Sequence, residues 1–214
     1  ASGDFVILAD HDDTLPEHAF YEVVKAVNEH PDCEVLYSDE DKLDMDGKAL
    51  FDPHFKPDFN PDLLTSVNYI CHLFVVKKSL LDQVGGFRKE FDGAQDYDFI
   101  FRCTEKAAKI VHIPKVLYHW RCHQGSTASN PESKMYAFEA GSRAVMAHYE
   151  RVGIPAESVE KGVDYGIYHT HFKIQGEPLV SVIIPNKDHS QDLDTCIRSL
   201  MERSTYQNLE FIVV

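Results

Sequence analysis

The sequence has few of the features that place a chain in a familiar class at first sight. No apolar run approaches the roughly 18–20 residues needed to cross a membrane. The five cysteines are odd in number, widely scattered and without a CxxC pair, so neither a disulfide framework nor a zinc knuckle is indicated. We therefore expect buried, unpaired thiols and a reducing, cytoplasmic location, with peripheral attachment at the inner face of the membrane as the alternative.

Positive charge is also scarce. Lys and Arg number 21 against 35 Asp and Glu, which gives a formal net charge of −14. Nucleic acids are held by clustered Lys and Arg, so this balance argues against nucleic acid as a partner. An anionic substrate remains open, because a bound divalent cation can reverse the local field.

Apolar runs alternate with helical patterns along the chain, which predicts an α/β fold. Phe5–Ala9 is a continuous apolar run, typical of a strand buried on both faces of a parallel sheet. Residues 50–64 are predicted to be irregular, and residues 165–174 to form a linker strand. Further strands are predicted at 34–38, 67–76, 110–118, 180–184 and 209–214, and helices at 16–28, 79–84, 96–107, 132–152 and 192–203.

Three carboxylates, Asp10, Asp12 and Asp13, follow the first apolar run within four residues. Carboxylates at the carboxyl end of a buried strand lie where open α/β sheets bind ligands. Their oxygens suit Mg²⁺ or Mn²⁺. The alternative is a strand-end turn whose acids cap the helix that starts near Pro16. This motif alone leaves both interpretations equally open.

A glycine-rich stretch runs from Gly85-Gly86 to Gly93 and ends at a helix start that carries Asp96. Glycine lets the backbone approach a ligand closely, and a carboxylate in this place can take a proton from a hydroxyl. The alternative is that Asp96 caps the helix. For Asp98 and Arg102, an i,i+4 pair on the helix face fits the sequence at least as well as a role in the site.

A third motif places His119 at a strand end, directly before Trp120, the sole tryptophan, and Arg121. Histidine in this place can be a metal ligand. A lone histidine more often forms hydrogen bonds at the rim of a core, and on this motif alone we favour that interpretation.

Together the three motifs resemble the second half of a family 2 glycosyltransferase domain of the kind that builds bacterial surface polysaccharide. Their order and spacing over about 125 residues make the resemblance specific. The segment Pro178–Asp188 resembles the opening strand of a second such domain. The residues that carry the resemblance are Gly3-Asp4-Phe5, Asp10, Asp12 and Asp13, Gly85-Gly86-Phe87, Gln95-Asp96-Tyr97-Asp98 with Arg102, and Tyr118-His119-Trp120-Arg121.

The resemblance implies a GT-A fold, the fold of nucleotide-diphospho-sugar transferases, with a mainly parallel sheet flanked by helices. It divides the chain into three segments. Residues 1–128 would be the C-terminal, metal- and acceptor-binding half of one domain, and residues 129–176 a long helix and linker. Residues 177–214 would be the first strand, helix and strand of a second domain.

The resemblance also implies roles for single residues. Asp12 would bind Mn²⁺ or Mg²⁺ directly, with Asp10 beside it, and His119 would contact the metal or the diphosphate. Asp96 would be the general base, with Gln95 in the place of the usual Glu. We expect these side chains to converge on one cleft. Substrate- or donor-binding roles are implied for Asp13, Gly93, Gln95, Trp120, Arg121, Asn186 and Asp188.

The reaction implied is inverting transfer of a single sugar from a nucleotide-diphosphate sugar to a hydroxyl of a saccharide or lipid-linked saccharide. The donor's base-binding half is absent, so we expect this chain alone to be weak or inactive. The alternative is a non-catalytic module that binds sugars or protein partners with a degenerate form of the fold. A metal-dependent phosphatase or nuclease is disfavoured by the acidic surface.

A strand such as Phe5–Ala9 needs a neighbour on each side, because an open apolar edge invites aggregation. We predict that Val180–Ile184 pairs in parallel with it, within one chain or by exchange in a homodimer. That pairing would bring Asn186 and Asp188 near Asp10.

Overall fold

The computed structural model describes residues 2–122 and 135–214, and it divides into two compact units, Ala1–Phe172 and Lys173–Val214. Residues 135–172, which are the larger part of the segment 129–176 predicted as a long helix and linker, therefore lie in the first unit. The predicted start of that helix, at residues 132–134, lies outside the described residues.

A five-stranded mixed sheet forms the centre of the first unit. Its middle strand is β2 (Val35–Leu43), and β5 (Ile110–Arg121) pairs in parallel along one edge of it. β4 (Phe74–Lys77) and β3 (Leu50–His54) pair antiparallel with the start and the end of the other edge. β1 (Phe5–Leu8) pairs antiparallel with β4. β1, β2 and β5 therefore point the same way, and their carboxyl ends meet at one edge of the sheet.

Helices pack on both faces of this sheet, which confirms the predicted α/β layering. On one face, α1 (Ala19–Glu29) packs against β5. On the other face lie α4 (Gln95–Thr104) and α5 (Met135–Val152), which contact each other. The remaining elements of the unit are α2 (Pro61–Ser66), α3 (Lys78–Val84), a 3₁₀ turn at Lys89–Phe91, and a hairpin of β6 (Ala156–Lys161) and β7 (Tyr168–Phe172).

Apolar residues of the central strands alternate between two cores. Along β4, Val75 packs into the core under α1, while Phe74 and Val76 pack into the core under α4 and α5. β2 alternates in the same way, with Leu36 on the α1 side and Tyr37 on the other. A strand buried on both faces reads as a continuous apolar run, and this is why these segments show no polar alternation.

The predicted partner of the first strand is wrong within the chain. Phe5–Leu8 pairs antiparallel with β4, and this is its one ladder in the part of the chain that the structure describes. β4 lies on one side of β1, and β1 is the edge strand of the described sheet, so the neighbour expected on its other side is not among the described strands of the first unit. Exchange of strands between two copies stays a prediction.

The second unit consists of β8 (Val180–Ile184), α6 (Ser190–Arg203) and β9 (Leu209–Val213). β8 and β9 pair in parallel, as the strand–helix–strand pattern predicts. No described residue of this unit is buried, although several are large and apolar, for example Ile183 and Met201.

Three shorter predictions need correction. Residues 67–73 are not a strand, because local hydrogen bonds turn the backbone: Tyr69 N–H donates to Val67 O, and Cys71 N–H donates to Asn68 Oδ1. Residues 50–64, predicted to be irregular, contain β3 and most of α2. All five cysteines are unpaired, but only Cys33 and Cys103 are buried as predicted; Cys71 and Cys122 are half-buried and Cys196 is exposed. Among the described residues, no helix has both the length and the apolar character needed to span a bilayer.

Candidate functional site

The acidic loop after β1 is held by the end of β5. Thr14 and His119 exchange backbone hydrogen bonds of 3.2 and 2.9 Å. Arg121 donates its N–H to Asp13 Oδ1 at 2.8 Å, and its Nε to Asp12 O at 2.7 Å. The first and third sequence motifs therefore meet, as expected for the carboxyl ends of strands that point the same way.

Tyr118 fixes the same loop from within. Its hydroxyl donates to Asp13 Oδ2 and accepts the N–H of Asp10 at 3.0 Å. Burial raises the pKa of Tyr118 well above its ordinary range, with the hydrogen bond to Asp13 acting in the same direction. The phenol therefore stays protonated and able to donate, so Asp13 keeps a fixed orientation.

His72 completes a group that neither the loop nor β5 could form alone. Its ring stacks on Tyr118 with centroids 4.5 Å apart, and its Nε2 lies 3.9 Å from Asp10 Oδ2. Ligand atoms of Asp10, Asp13 and His72 all lie within 4.8 Å of one another. The His72 side chain is 13% exposed, and its buried Nδ1 has no hydrogen-bond partner among the described residues.

This group fits a divalent cation. Two carboxylates and an imidazole are donors that Mn²⁺ accepts, and it is Nε2 of His72 that lies near the Asp10 carboxylate. Asp12 and His119 lie outside the group. His119 instead directs Nδ1 to Asp41 Oδ1. Their predicted role as metal ligands stays a prediction.

Asp96 lies at the start of α4, where one segment connects it to His72. Its Oδ2 accepts from Asn68 Nδ2 at 3.0 Å and lies 3.9 Å from Cys71 Sγ. Burial raises the pKa of Asp96, against the opposing effects of the nearby His72 and of hydrogen bonds including that from Asn68. A raised pKa makes a carboxylate a better proton acceptor near neutral pH.

A buried lysine shapes the connecting segment. The Lys56 side chain has no exposed surface, and its Nζ donates to the carbonyls of Ile70 (2.7 Å) and His72. The same Nζ lies 3.3 Å from Glu40 Oε2, which accepts the N–H of His72 at 3.3 Å. The Lys56–Glu40 pair therefore holds both backbone groups of His72, its N–H through Glu40 and its carbonyl through Lys56.

A cleft of about 560 Å³ opens beside Asp96. Gly93 and Trp120, both predicted to bind substrate, line it. Gln95, also predicted to bind substrate, does not line the cleft, and its Oε1 accepts the N–H of Gly93 at 2.8 Å. Asn186 and Asp188 belong to the second unit, which is described by itself, so their predicted approach to Asp10 stays a prediction.

Sequence reasoning missed three of the residues that build this site: His72, Asn68 and Lys56. Asn68 and His72 lie in segment 67–76, which was predicted to be a strand, and their polar side chains were therefore not considered as site residues. Lys56 lies in a stretch predicted to be irregular. A signal was present in Asn68 and His72 themselves, since two polar residues in so apolar a run are unusual for a strand buried on both faces.

Comparisons with known proteins show similarity over the whole chain to parts of larger proteins. No family model matches this chain. It is 44% identical over 216 residues to the uncharacterized protein y4gI of Sinorhizobium fredii (strain NBRC 101917 / NGR234), a match that covers 100% of the chain and 24% of that protein. It is 40% identical over 212 residues to the O-antigen biosynthesis protein RfbC of Myxococcus xanthus, covering 99% of the chain and 16% of that protein.

The chain therefore spans less than a quarter of the length of either curated relative. Among solved structures, it is similar to the crystal structure of S. aureus TarS 1-349, with a TM-score of 0.48 and 19% identity. That similarity covers 69% of this chain and 41% of the other.

Proposed function

We propose that this chain belongs to a glycosyltransferase of the GT-A type that transfers a single sugar from a nucleotide-diphosphate sugar to an acceptor hydroxyl. The name of the Myxococcus relative supports surface polysaccharide as the product. We further propose that the reaction takes place on the cytoplasmic side of the cell, where nucleotide sugars are made.

The observation that carries the proposal is the short segment that links a candidate metal group to a candidate base. Asn68 contacts Asp96, and four residues later His72 lies beside Asp10. A transferase needs positive charge at the leaving diphosphate and a proton acceptor at the attacking hydroxyl. The closeness of Asn68 to His72 in the sequence supports the proposal, because each contacts a residue suited to one of these tasks.

In the proposed mechanism, Asp96 accepts the proton of the acceptor hydroxyl. The oxygen attacks the anomeric carbon as the bond from that carbon to the diphosphate oxygen breaks, and the nucleoside diphosphate leaves with the electron pair. Attack from the face opposite the leaving group inverts the anomeric configuration. Asn68 keeps the Asp96 carboxylate oriented, since its Nδ2 donates to one of the two oxygens.

Asp10, Asp13 and His72 would hold Mn²⁺ or Mg²⁺. Such an ion, when bound, supplies positive charge that stabilises a diphosphate leaving group. Tyr118 orients the group by binding both the Asp13 carboxylate and the Asp10 backbone.

The test measures release of nucleoside diphosphate by the full-length protein from a panel of nucleotide sugars, with acceptor and Mn²⁺. We expect Asp96→Asn to lower the rate by about 10²- to 10⁴-fold, the usual contribution of a general base, with little change in donor affinity. The control is Asp92→Asn: Asp92 is exposed, lies four residues away and does not line the cleft.

An Asp96→Asn protein that turns over at the wild-type rate would refute the assignment of the base. Absence of turnover by the wild-type protein, across the panel and with Mn²⁺ bound, would favour the non-catalytic binding module.

A further inference from the structure

Several residues that line the cleft beside Asp96 do not belong to the three sequence motifs, and together they form one wall of it. Phe138, in the first turn of α5, and the turn at 164–166 between β6 and β7 both line it. Its volume of about 560 Å³ lies within the range of small-molecule sites, about 300–1,000 Å³. The helix and hairpin therefore build part of the site instead of serving only as a linker.

Close packing fixes this wall to the rest of the unit. A Cβ at Gly141 would lie 1.8 Å from the hydroxyl oxygen of Tyr168, so β7 rests directly on the backbone of α5. On its other side, Ile167 forms an antiparallel bridge with Val67. Val67 immediately precedes Asn68, which orients Asp96. The hairpin is thus connected to Asp96, the candidate base, through the bridge between Ile167 and Val67 and the hydrogen bond from Asn68.

Tyr165 presents a fixed aromatic ring at the turn. Its centroid lies 5.1 Å from that of Phe138, with the planes 60° apart, and Lys161 Nζ lies 3.6 Å from the ring centroid. The backbone N–H of Tyr165 donates to Asp164 Oδ1 at 2.7 Å, which sets the turn. The ring is half-buried and lines the cleft together with the half-buried Trp120.

This lining suits a sugar ring. A pyranose has a face of carbon-bound hydrogens, which pack on the negative face of an aromatic ring, and a rim of hydroxyls, which need polar partners. The cleft offers the rings of Tyr165 and Trp120 with the polar groups of Asp96, Asn68 and Asp164. A phosphate group would find acids and few cations in the same lining.

We propose that α5 and the β6–β7 hairpin form the acceptor subsite of the enzyme, and that the ring of Tyr165 is the platform on which the acceptor saccharide stacks. The proposal rests on the proposed function, because it takes Asp96 as the base toward which an acceptor hydroxyl is directed. Tyr165 would determine which acceptors are used, since the ring lies at the rim and not at the reacting atoms.

Trp120 provides the readout in titrations of this 214-residue chain, because it is the sole tryptophan of the chain and lines the cleft. Fluorescence titrations of the protein would use free disaccharides of hexoses, 6-deoxyhexoses and N-acetylhexosamines, and the same saccharides on a lipid diphosphate in detergent. We expect Tyr165→Ala to weaken binding of at least one disaccharide about tenfold, and Tyr165→Phe to keep wild-type affinity because the ring remains. Tyr21→Ala, an exposed tyrosine on α1 outside the cleft, is the matched control.

Each outcome decides the proposal. Equal disaccharide affinity in wild type and Tyr165→Ala would overturn the role of Tyr165. A wild-type protein that binds no free disaccharide, or binds only the lipid-linked form through its lipid, would overturn the saccharide subsite. Saccharide binding that depends on Tyr165, in a protein without nucleotide-sugar turnover, would keep the subsite while removing the proposed transferase function.

Discussion

Replacing Lys56 with Met removes the cation of a buried ion pair while keeping the length of the side chain. The Lys56 amine lies 3.3 Å from Glu40 Oε2, and the Glu40 side chain is 11% exposed. Burial lowers the pKa of Lys56, and the attraction of Glu40 opposes that effect. In the variant, Glu40 would stay buried without its main partner, and the carbonyl of Ile70 would lose its donor.

The size of the effect follows from the charge left behind. Removing one partner of a buried pair costs about 3–5 kcal/mol, because the remaining charge is uncompensated. His54 Nδ1, at 3.4 Å, and the N–H of His72, at 3.3 Å, still contact the Glu40 carboxylate. We therefore expect the lower end of that range, about 3 kcal/mol, which changes the unfolding equilibrium roughly a hundredfold.

Urea unfolding followed by the fluorescence of Trp120 measures this loss for the first unit, in which Trp120 lies. Lys48→Met is the matched control, because the Lys48 side chain is 78% exposed. The double variant Lys56→Met with Glu40→Gln should regain at least half of the lost stability, since a neutral amide no longer needs a cation. A Lys56→Met protein within about 0.5 kcal/mol of wild type, the scale of ordinary surface substitutions, would refute the reasoning.

Three further outcomes are expected. His72→Ala should weaken Mn²⁺ binding, measured by water-proton relaxation, by about 10- to 100-fold, and unchanged affinity would remove His72 from the metal group. Gly141→Ala should destabilise the protein by about 1–3 kcal/mol, because its Cβ would lie 1.8 Å from the Tyr168 hydroxyl; combining it with Tyr168→Phe should recover part of the loss in the same urea assay. Burial raises the pKa of Glu105, but the hydrogen bond with His148 and the ion pair with Arg151 outweigh it and hold the pKa below its ordinary value. Glu105→Gln should thus cost about 1 kcal/mol at pH 7, and this cost should shrink as the pH falls through the lowered pKa, where wild-type Glu105 becomes protonated too; a cost that does not decrease on acidification would contradict the ion-pair explanation.

The sequence was sufficient to predict the part of the site that depends on strand direction. An acidic loop after one strand and His119-Trp120-Arg121 at the end of another were expected to meet, and Arg121 does contact Asp12 and Asp13. That expectation came from the resemblance, and the shared direction of β1 and β5 is what accounts for it in the structure. The expectation did not need their neighbours in the sheet.

The identity of those neighbours could not be predicted, because an apolar run does not indicate which other strand pairs with it. Phe5–Leu8 needs apolar cover on two faces, and two cores provide it whether the adjacent strand is parallel or antiparallel. Placing β4 beside β1 is also what brings His72 to Asp10. A residue that reaches the site through such a pairing cannot be predicted from the sequence around it.

The acids at positions 39–41 illustrate the reverse case. The strand predicted at 34–38 ends before these acids, yet they lie within β2. Asp39 is bonded to His112 Nε2 at 2.8 Å, and Asp41 to His119, both on the adjacent strand. Charged residues in a strand interior are tolerated when each has a partner, and those partners are more than 70 positions away in the sequence.

The hydrogen bond from Arg121 N–H to Asp13 joins residues 108 positions apart. A growing chain can therefore complete this part of the candidate site only with the last strand of the five-stranded sheet, since the acidic loop emerges from the ribosome long before β5 exists to hold it. Until then, Asp10 and Asp13 have neither the phenol of Tyr118 nor the backbone of Arg121 to orient them. Contacts of such long range also slow folding. Competence to bind a ligand at this site thus reports completion of the whole sheet, and it can serve as a measure of correct folding.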